Sequence, residues 1–482
     1  MISIAHRLLV ALFIFCAGQN VSAQKRVHVY TNQENARWDF PLTIEEIEDM
    51  DIASTSLVFN MKAGQGVPFL RTSIDSLTFE DDPLLETKNP YKVFQLYLTT
   101  ADGKAVTSRE EYKPCYLSLG AQGSFSNYSG SAAIRCRGNS SFLWYDKKPY
   151  RIKLDTKHKL LGLDKARSWV LLANYRDVTD MMNTFVFEAG RWLGLPFTNH
   201  TRYVELFLNG DYQGVYQLTE QVQQHKNRVA VSDDRGILIS LDRDDGPELN
   251  PYSDDNFWSS VFHLPVCVKY PSDEAFTKNT VDSVRAVFAQ LEQAIKSKNY
   301  AEIERQLDIP SFIKYLQLQE FVYNVELEAP RSIYMHKDGD GRWVMGPLWD
   351  FDAGYDFDWS QMTTGHNYFS DFRETVMGTD PLNRNGQYHP SQFFTNLFAC
   401  KEFVAAYKAQ WAATKDSLVV HAWGECMKYV DELRASGALD REFRRWPIKG
   451  KNYNTELDKM HQWLQNRLIH ISYLIAAIPN PK

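Results

Sequence analysis

"GPLWDFDAGYDFD", residues 346–358, places four aspartates in thirteen residues and interleaves them with Trp, Phe and Tyr. Strands disfavour Asp, and like charges this dense repel one another. The stretch follows "RSIYMHKDGDGRWVM", which reads as a hairpin turning around Asp338 to Gly341. On that reading Trp349 to Asp352 ends the outgoing strand, with Asp350 and Asp352 on one face and Trp349 and Phe351 on the other. The aromatics anchor the strand in the core, and two carboxylates about 7 Å apart face a cleft. Such a pair suits a hard divalent cation, Mg²⁺ or Ca²⁺. An EF-hand is excluded, because Arg342 stands where the Asp338-Gly339-Asp340-Gly341 series needs another Asp or Asn. The competing reading is a solvated acidic loop.

A second constellation is "RCRGNSSFLWYDKKPYRIKLD", residues 135–155. Gly138, Asn139, Ser140 and Ser141 offer backbone N–H and hydroxyl donors to phosphate oxygens. Lys148 and Lys153 add positive charge, and Lys153 sits in a strand whose neighbours Ile152 and Leu154 are expected to be buried. A strand lysine beside a phosphate-sized loop points to a nucleotide, although any turn can contain Gly-Asn-Ser. Neither a Walker G-x-x-x-x-G-K-[ST] nor a G-x-G-x-x-G occurs. Three further carboxylates are candidates: Glu188 within a predicted helix, Glu220 at the end of a hairpin, and Asp242 ending the apolar run "GILISLD". Glu188 could pair with a lysine as a kinase helix glutamate does; the plainer reading of each is a structural charge.

The 482 residues allow two or three domains. Hydrophobic content of 44% and charged content of 23% describe an ordinary globular chain. A net charge of -7 without a basic stripe argues against nucleic acid as partner. The N-terminus has Arg7, an apolar run from Leu8 to Ala17, and Val21-Ser22-Ala23 before Gln24. That pattern reads as an export signal cleaved after Ala23. The run is too short to span a bilayer, so the mature chain is expected to carry no transmembrane segment and to be periplasmic, cell-surface or extracellular. Removing Cys16 leaves five widely spaced cysteines with no C-x-x-C, which argues against zinc. A Cys115–Cys136 disulfide across two strands competes with buried free thiols.

Along the chain, residues 24–85 read as a small β module and "ETKNPYK" as a linker. Residues 92–385 then alternate strands and helices. "TDMMNTFVFEAGRWLGLP" is expected to be a helix capped by Thr179 or Asp180 and ended at Gly194-Leu195-Pro196. "RYVELFLNGDYQGVYQLTEQV" is a hairpin with Asn209-Gly210 in a tight primed turn. Residues 386–482 turn helical: Phe403, Tyr407 and Trp411 form one stripe, and Leu457, Met460, Leu464 and Leu468 another.

These motifs, with "WVLLANYRD" and "NVELEAPRSIYMHKDGDGRWVMGPLWDFD", resemble in order those of the CotH kinase family, over about residues 92 to 475. The resemblance implies an α+β, atypical protein-kinase-like two-lobed domain that uses ATP with Mg²⁺ (or Mn²⁺). It implies transfer of phosphoryl groups to protein Ser or Thr. Lys153 resembles the phosphate-contacting lysine and Asp350 the metal-binding aspartate, with Asp352 supporting the metal. The loop Arg137-Gly138-Asn139-Ser140 would lie over the phosphates, and Glu188 and Glu220 would join the nucleotide site. One departure concerns catalysis: where many relatives carry an aspartate to accept the acceptor's proton, this chain has Glu326 or Glu328. Glu326 is favoured because it follows Asn324 as the acidic residue does in relatives. Met181-Met182 also stands before Asn183, where relatives often place an arginine.

Two readings therefore stand side by side. One is an exported kinase acting on secreted or surface proteins. The other is a noncatalytic scaffold at the cell envelope binding protein or glycan, through segments such as "WSQM" and "HNYFSDF"; scarcity of ATP outside the cytoplasm favours it. A glycosidase pairing of Asp350 with a second carboxylate ranks last, because nothing in the spacing sets their separation.

Overall fold

The computed structural model describes residues 23–33, 36–83, 90–121, 125–251, 254–271, 278–355, 368–447 and 451–481. The leader expected over 1–23 lies outside them except for Ala23. So do "WSQM", Asp356, Asp358 and the start of "HNYFSDF".

The first six strands form two small antiparallel sheets. Strands β1 (Ala23–Gln33), β2 (Ala36–Thr43) and β6 (Ile74–Pro83) make one, in the order β2-β1-β6. Strands β3 (Ile47–Ile52), β4 (Ser56–Met61) and β5 (Gly66–Leu70) make the other. Alternation in β4 sends Leu57, Phe59 and Met61 inward, as a half-buried strand requires. Their core also takes in Tyr97, Tyr116, Phe207 and Tyr212 from the following barrel. Trp38 meets Phe207 edge-on with ring centroids 4.5 Å apart.

That barrel is closed in the order β10-β11-β13-β12-β7-β8-β9. Its strands are β7 (Phe94–Thr100), β8 (Lys113–Ala121), β9 (Phe125–Cys136), β10 (Tyr150–His158), β11 (Ala166–Leu172), β12 (Arg202–Leu208) and β13 (Asp211–Glu220). Leu96, Leu117, Ile134, Ile152, Leu154, Leu171, Leu206 and Leu218 fill the interior, so the alternate residues Arg151 and Lys153 face outward. The β12–β13 hairpin turns at Asn209 and Gly210 with positive φ at both, as its sequence predicts. Cys115 and Cys136 are buried free thiols, not a disulfide.

Helix α1 (Met182–Trp192) connects β11 to β12. Its start differs from expectation: Met181 is the N-cap and supplies no side-chain bond. Asp177, five residues before Met182, accepts the Met182 N–H at 2.7 Å and the Thr179 N–H at 2.9 Å. A carboxylate reaching back in this way satisfies orphan donors that Thr179 or Asp180 would otherwise serve.

Most of the remaining described residues pack around one large apolar core. A five-stranded sheet runs β15-β16-β14-β17-β18, from β14 (Gly236–Leu241), β15 (Asn256–Trp258), β16 (Pro265–Tyr270), β17 (Ile333–Asp338) and β18 (Val344–Met345). Around it lie α2 (Lys278–Ser297), α3 (Ile309–Val322), α4 (Lys401–Ala435), α5 (Ala438–Arg445) and α6 (Tyr453–Ala476). Phe185, Ile239, Phe288, Leu316, Met335, Trp411 and Leu464 belong to the same buried cluster, which joins α1 to both long helices. Helix α5 also grips the barrel: Glu442 accepts from Lys147 Nζ and from the Val215 N–H, each at 2.7 Å. Among the described residues no helix is long and apolar enough to cross a membrane.

Candidate functional site

Strand β18 is shorter than the sequence predicts. It pairs only Val344 and Met345 with β17 and ends before the cis Gly346–Pro347 bond, so Trp349 to Asp352 is not a strand. Asp350 adopts φ 64°, a left-handed conformation that Asp tolerates better than most residues. Strict alternation therefore fails, yet Trp349 and Phe351 are still buried. Two buried asparagines hold the loop from opposite sides. Asn183 Oδ1 accepts the Phe351 N–H at 2.8 Å, and Asn324 Nδ2 donates to the Asp350 carbonyl at 3.2 Å. Tyr355 closes the loop, donating its N–H to Val322 O and its hydroxyl to Met182 O.

The two carboxylates still come together. Burial, followed by the charge of Asp352, pushes the Asp350 carboxyl well above the usual aspartate range, against the opposing charges of Arg137 and Arg176. Arg176 pairs with Asp352 at 3.6 Å. It belongs to the quoted motif "WVLLANYRD" but received no role there; only the fold shows its partner. Glu326 lies beside them: burial first, then Asp350, raise its carboxyl, and Arg331 opposes the shift. Arg331 ion-pairs with Asp244 at 3.1 Å rather than with Glu326. Glu328, by contrast, is exposed and accepts from Thr379 Oγ1 at 3.0 Å. A 3-10 turn over Val325–Leu327, started by the Asn324 side chain, sends the two glutamates apart.

Arg137 crosses from the barrel, its guanidinium 5.3 Å from the centre of the Trp349 ring. Arg151 faces the same region: Tyr112, Arg135, Arg137 and Tyr334 all act on its charge, while burial is the main influence lowering its pKa. Arg137 and Arg151 are half-buried, and among the described residues neither guanidinium has a hydrogen bond or ion pair. Neighbouring cations that make no close pair are costly to bury, and the carboxylates acting on Arg137 (Asp350, Asp245 and Asp352) do not bond to it, so this is where an anionic ligand fits. Sequence reading missed Arg151, although its outward position beside Ile152 marked it as readily as Lys153.

Lys153 is exposed, with its ammonium 5.9 Å from the Tyr112 ring centre. Gly138 has φ 81°, and Arg109 holds its carbonyl at 3.1 Å and Asn139 Oδ1 at 2.8 Å; Ser140 opens a four-residue helix. Lys148 does not add free charge to the site, because carbonyls of Phe142 and Tyr145 take its ammonium. Glu188 does not pair with a lysine: its partners are Arg191 and Tyr429. Glu220 accepts from the His200 N–H at 2.8 Å and Nδ1 at 2.7 Å. Its charge acts on Arg228, which also feels Arg151. Asp242 accepts from the N–H groups of Asp244, Asp245 and Ser332, and burial pushes its carboxyl up to about 6.

Among the described residues no three His, Cys, Asp or Glu side chains gather as a metal cage. Asp350, whose carboxylate receives no hydrogen bond from any described residue, and Asp352 do fit a cation that takes its other ligands from phosphate and water. That is the usual way Mg²⁺ is held. A family model described as CotH kinase protein matches residues 134–471, from the end of β9 into α6. No curated protein matches the chain.

Proposed function

The chain belongs to the CotH kinase family, and from that premise we propose that it is an exported kinase moving the γ-phosphoryl group of ATP to Ser or Thr hydroxyls of secreted or surface proteins. On this reading residues 1–23 direct export, 24–85 form an accessory β module, and 92–385 with the helical extension 386–482 form an atypical kinase-like domain of two lobes. The barrel would be one lobe, and the five-stranded sheet with its helices the other.

One observation carries the proposal: Asp350, Asp352 and Glu326 share one electrostatic neighbourhood with Arg137, and Arg151 adjoins it. Mg²⁺ (or Mn²⁺) bound by Asp350 and Asp352 would neutralise charge on the phosphate oxygens. Arg137 and Arg151 would hold the phosphates, with Lys153 and the Gly138 loop at the rim. Arg176 would fix Asp352. Glu326 would accept the acceptor's hydroxyl proton as its oxygen bonds to the γ-phosphorus and the bond to the leaving ADP breaks. Burial and the charge of Asp350 keep a proton on the Glu326 carboxyl at neutral pH; a cation held by Asp350 and Asp352 would offset that repulsion and leave Glu326 ionised to accept the proton.

Calorimetry of the purified protein with ATP plus Mg²⁺ or Mn²⁺ tests the premise without knowing the acceptor. Metal-dependent ATP binding is expected; no binding with either metal sinks the kinase reading. Binding without phosphorylation of itself or of any exported protein would instead support the scaffold reading, with an envelope protein or glycan as partner.

A further inference from the structure

The five-stranded sheet has two unlike faces. Ile239 and Leu241 of β14, Val266 and Val268 of β16, and Ile333 and Met335 of β17 all enter the large apolar core. Alternation sends the residues between them to the other face. There Ser240 pairs with Cys267 on one side and Tyr334 on the other. Ser240 and Cys267 are buried, whereas Tyr334 is half-buried and packs its ring against Val229, Val231 and Leu238. Strand β16 bulges at Lys269, which the ladder skips, and a bulge re-aims its side chain.

Tyr334 is tied to the acidic loop by its backbone: its carbonyl accepts the Gly346 N–H at 2.9 Å, four residues before Asp350. Its hydroxyl, by contrast, has no hydrogen-bond partner among the described residues. Burial pushes that phenol up to about 12, so it is a donor at neutral pH. Cations from both sides act on it: Lys269 from the sheet and Arg137 from the barrel, while Tyr334 acts in turn on Arg151. Asp242 and Asp245 also act on it, but neither is free to accept. Asp242 is taken by three backbone N–H groups, and Asp245 by the Lys269 ammonium at 3.2 Å. A donor set among cations without an acceptor calls for an anion.

We propose that Tyr334 contacts the nucleotide directly, its hydroxyl donating to a phosphate oxygen of ATP, with Lys269 beside it on the sheet and Arg137 and Arg151 opposite on the barrel. This rests on the phosphoryl-transfer reading and adds a second wall to the same site: the phosphates are held from the sheet as well as from the barrel.

The test uses the full chain, with Mg²⁺–ATP binding followed by calorimetry and adenosine binding by ligand-observed NMR. Tyr334→Phe retains the ring and its packing. It should lower Mg²⁺–ATP affinity about tenfold or more, the span of one hydrogen bond to a charged group, and leave adenosine binding unchanged. Lys269→Ala should lower Mg²⁺–ATP affinity too, by a factor that shrinks as salt is added. A wild type that binds Mg²⁺–ATP no better than Tyr334→Phe does would overturn this assignment alone. Equal losses for ATP and adenosine would also overturn it, since the residue would then serve the nucleoside or the fold. A wild type that binds no ATP would overturn the phosphoryl-transfer reading and this inference with it. Should Tyr334→Phe not fold, Lys269→Ala decides: unchanged Mg²⁺–ATP affinity there would remove the sheet from the site.

Discussion

The Phe351 N–H donates to Asn183 Oδ1 at 2.8 Å, tying the residue between two acidic side chains to the first turn of a helix 168 positions earlier. On the other side Asn324 donates to the Asp350 carbonyl. The orientation of Asp350 thus depends on two amide side chains, not on a strand. Asn183→Ala is expected to cost about 1–3 kcal/mol of stability, because it strands a buried N–H. It should also lower Mg²⁺–ATP affinity at least tenfold by freeing the loop. Thermal unfolding and calorimetry on the same preparation check both; unchanged affinity in a destabilised variant would limit Asn183 to a structural role.

Asp350→Asn keeps size and removes a ligand charge, so metal-dependent ATP binding should drop by roughly 100-fold or more with folding intact. Arg151→Ala should weaken ATP without altering the metal's own affinity, and more than Lys153→Ala does. The reverse order would return the main phosphate contact to Lys153. Titration of each variant at several Mg²⁺ concentrations separates the two effects.

Glu326 sets a pH dependence. Its carboxyl is raised in the folded chain by burial and by Asp350, so the native state holds a proton that the unfolded chain releases near about pH 4.3. Stability from this group is complete at lower pH and falls as pH rises above that value through the raised folded pKa. Glu326→Gln should flatten that fall and leave the protein at least as stable as wild type at pH 8. It should abolish transfer and leave ATP affinity nearly unchanged. Denaturant unfolding between pH 5 and 8 is the measurement; a Glu326→Gln chain less stable at pH 8 would mark the residue as structural.

Gly190 lets α1 approach the acidic loop. A Cβ there would stand 2.3 Å from Leu348 Cδ1 and 3.0 Å from Thr198 Oγ1. Gly190→Ala gains about 1 kcal/mol of helix propensity, but overpacking of about 1–3 kcal/mol offsets it. The net result should be neutral to destabilising. Displacement of Leu348, two residues before Asp350, should weaken ATP more than stability. A variant with both quantities unchanged would show that the core yields without moving the loop.

Local pattern in the sequence determined the β12–β13 hairpin, whose Asn209-Gly210 turn needs positive φ at two successive residues. It also determined the helix over 182–192, the apolar stripes of α4 and α6, and the acid–aromatic alternation that marks Asp350 and Asp352. Periodicity and turn chemistry depend on near neighbours, so they are legible without a fold. Tertiary structure decided the rest. Only packing shows that β18 stops at Met345, that Asn183 and Asn324 seize the loop beyond it, and that Arg176 reaches Asp352. Only the barrel's closure brings Arg151 near Arg137, and only the 3-10 turn separates Glu326 from Glu328. The contacts of Asn183 and Arg176 join residues far apart in the chain, and their energies come from burial and charge at distances that no local pattern encodes.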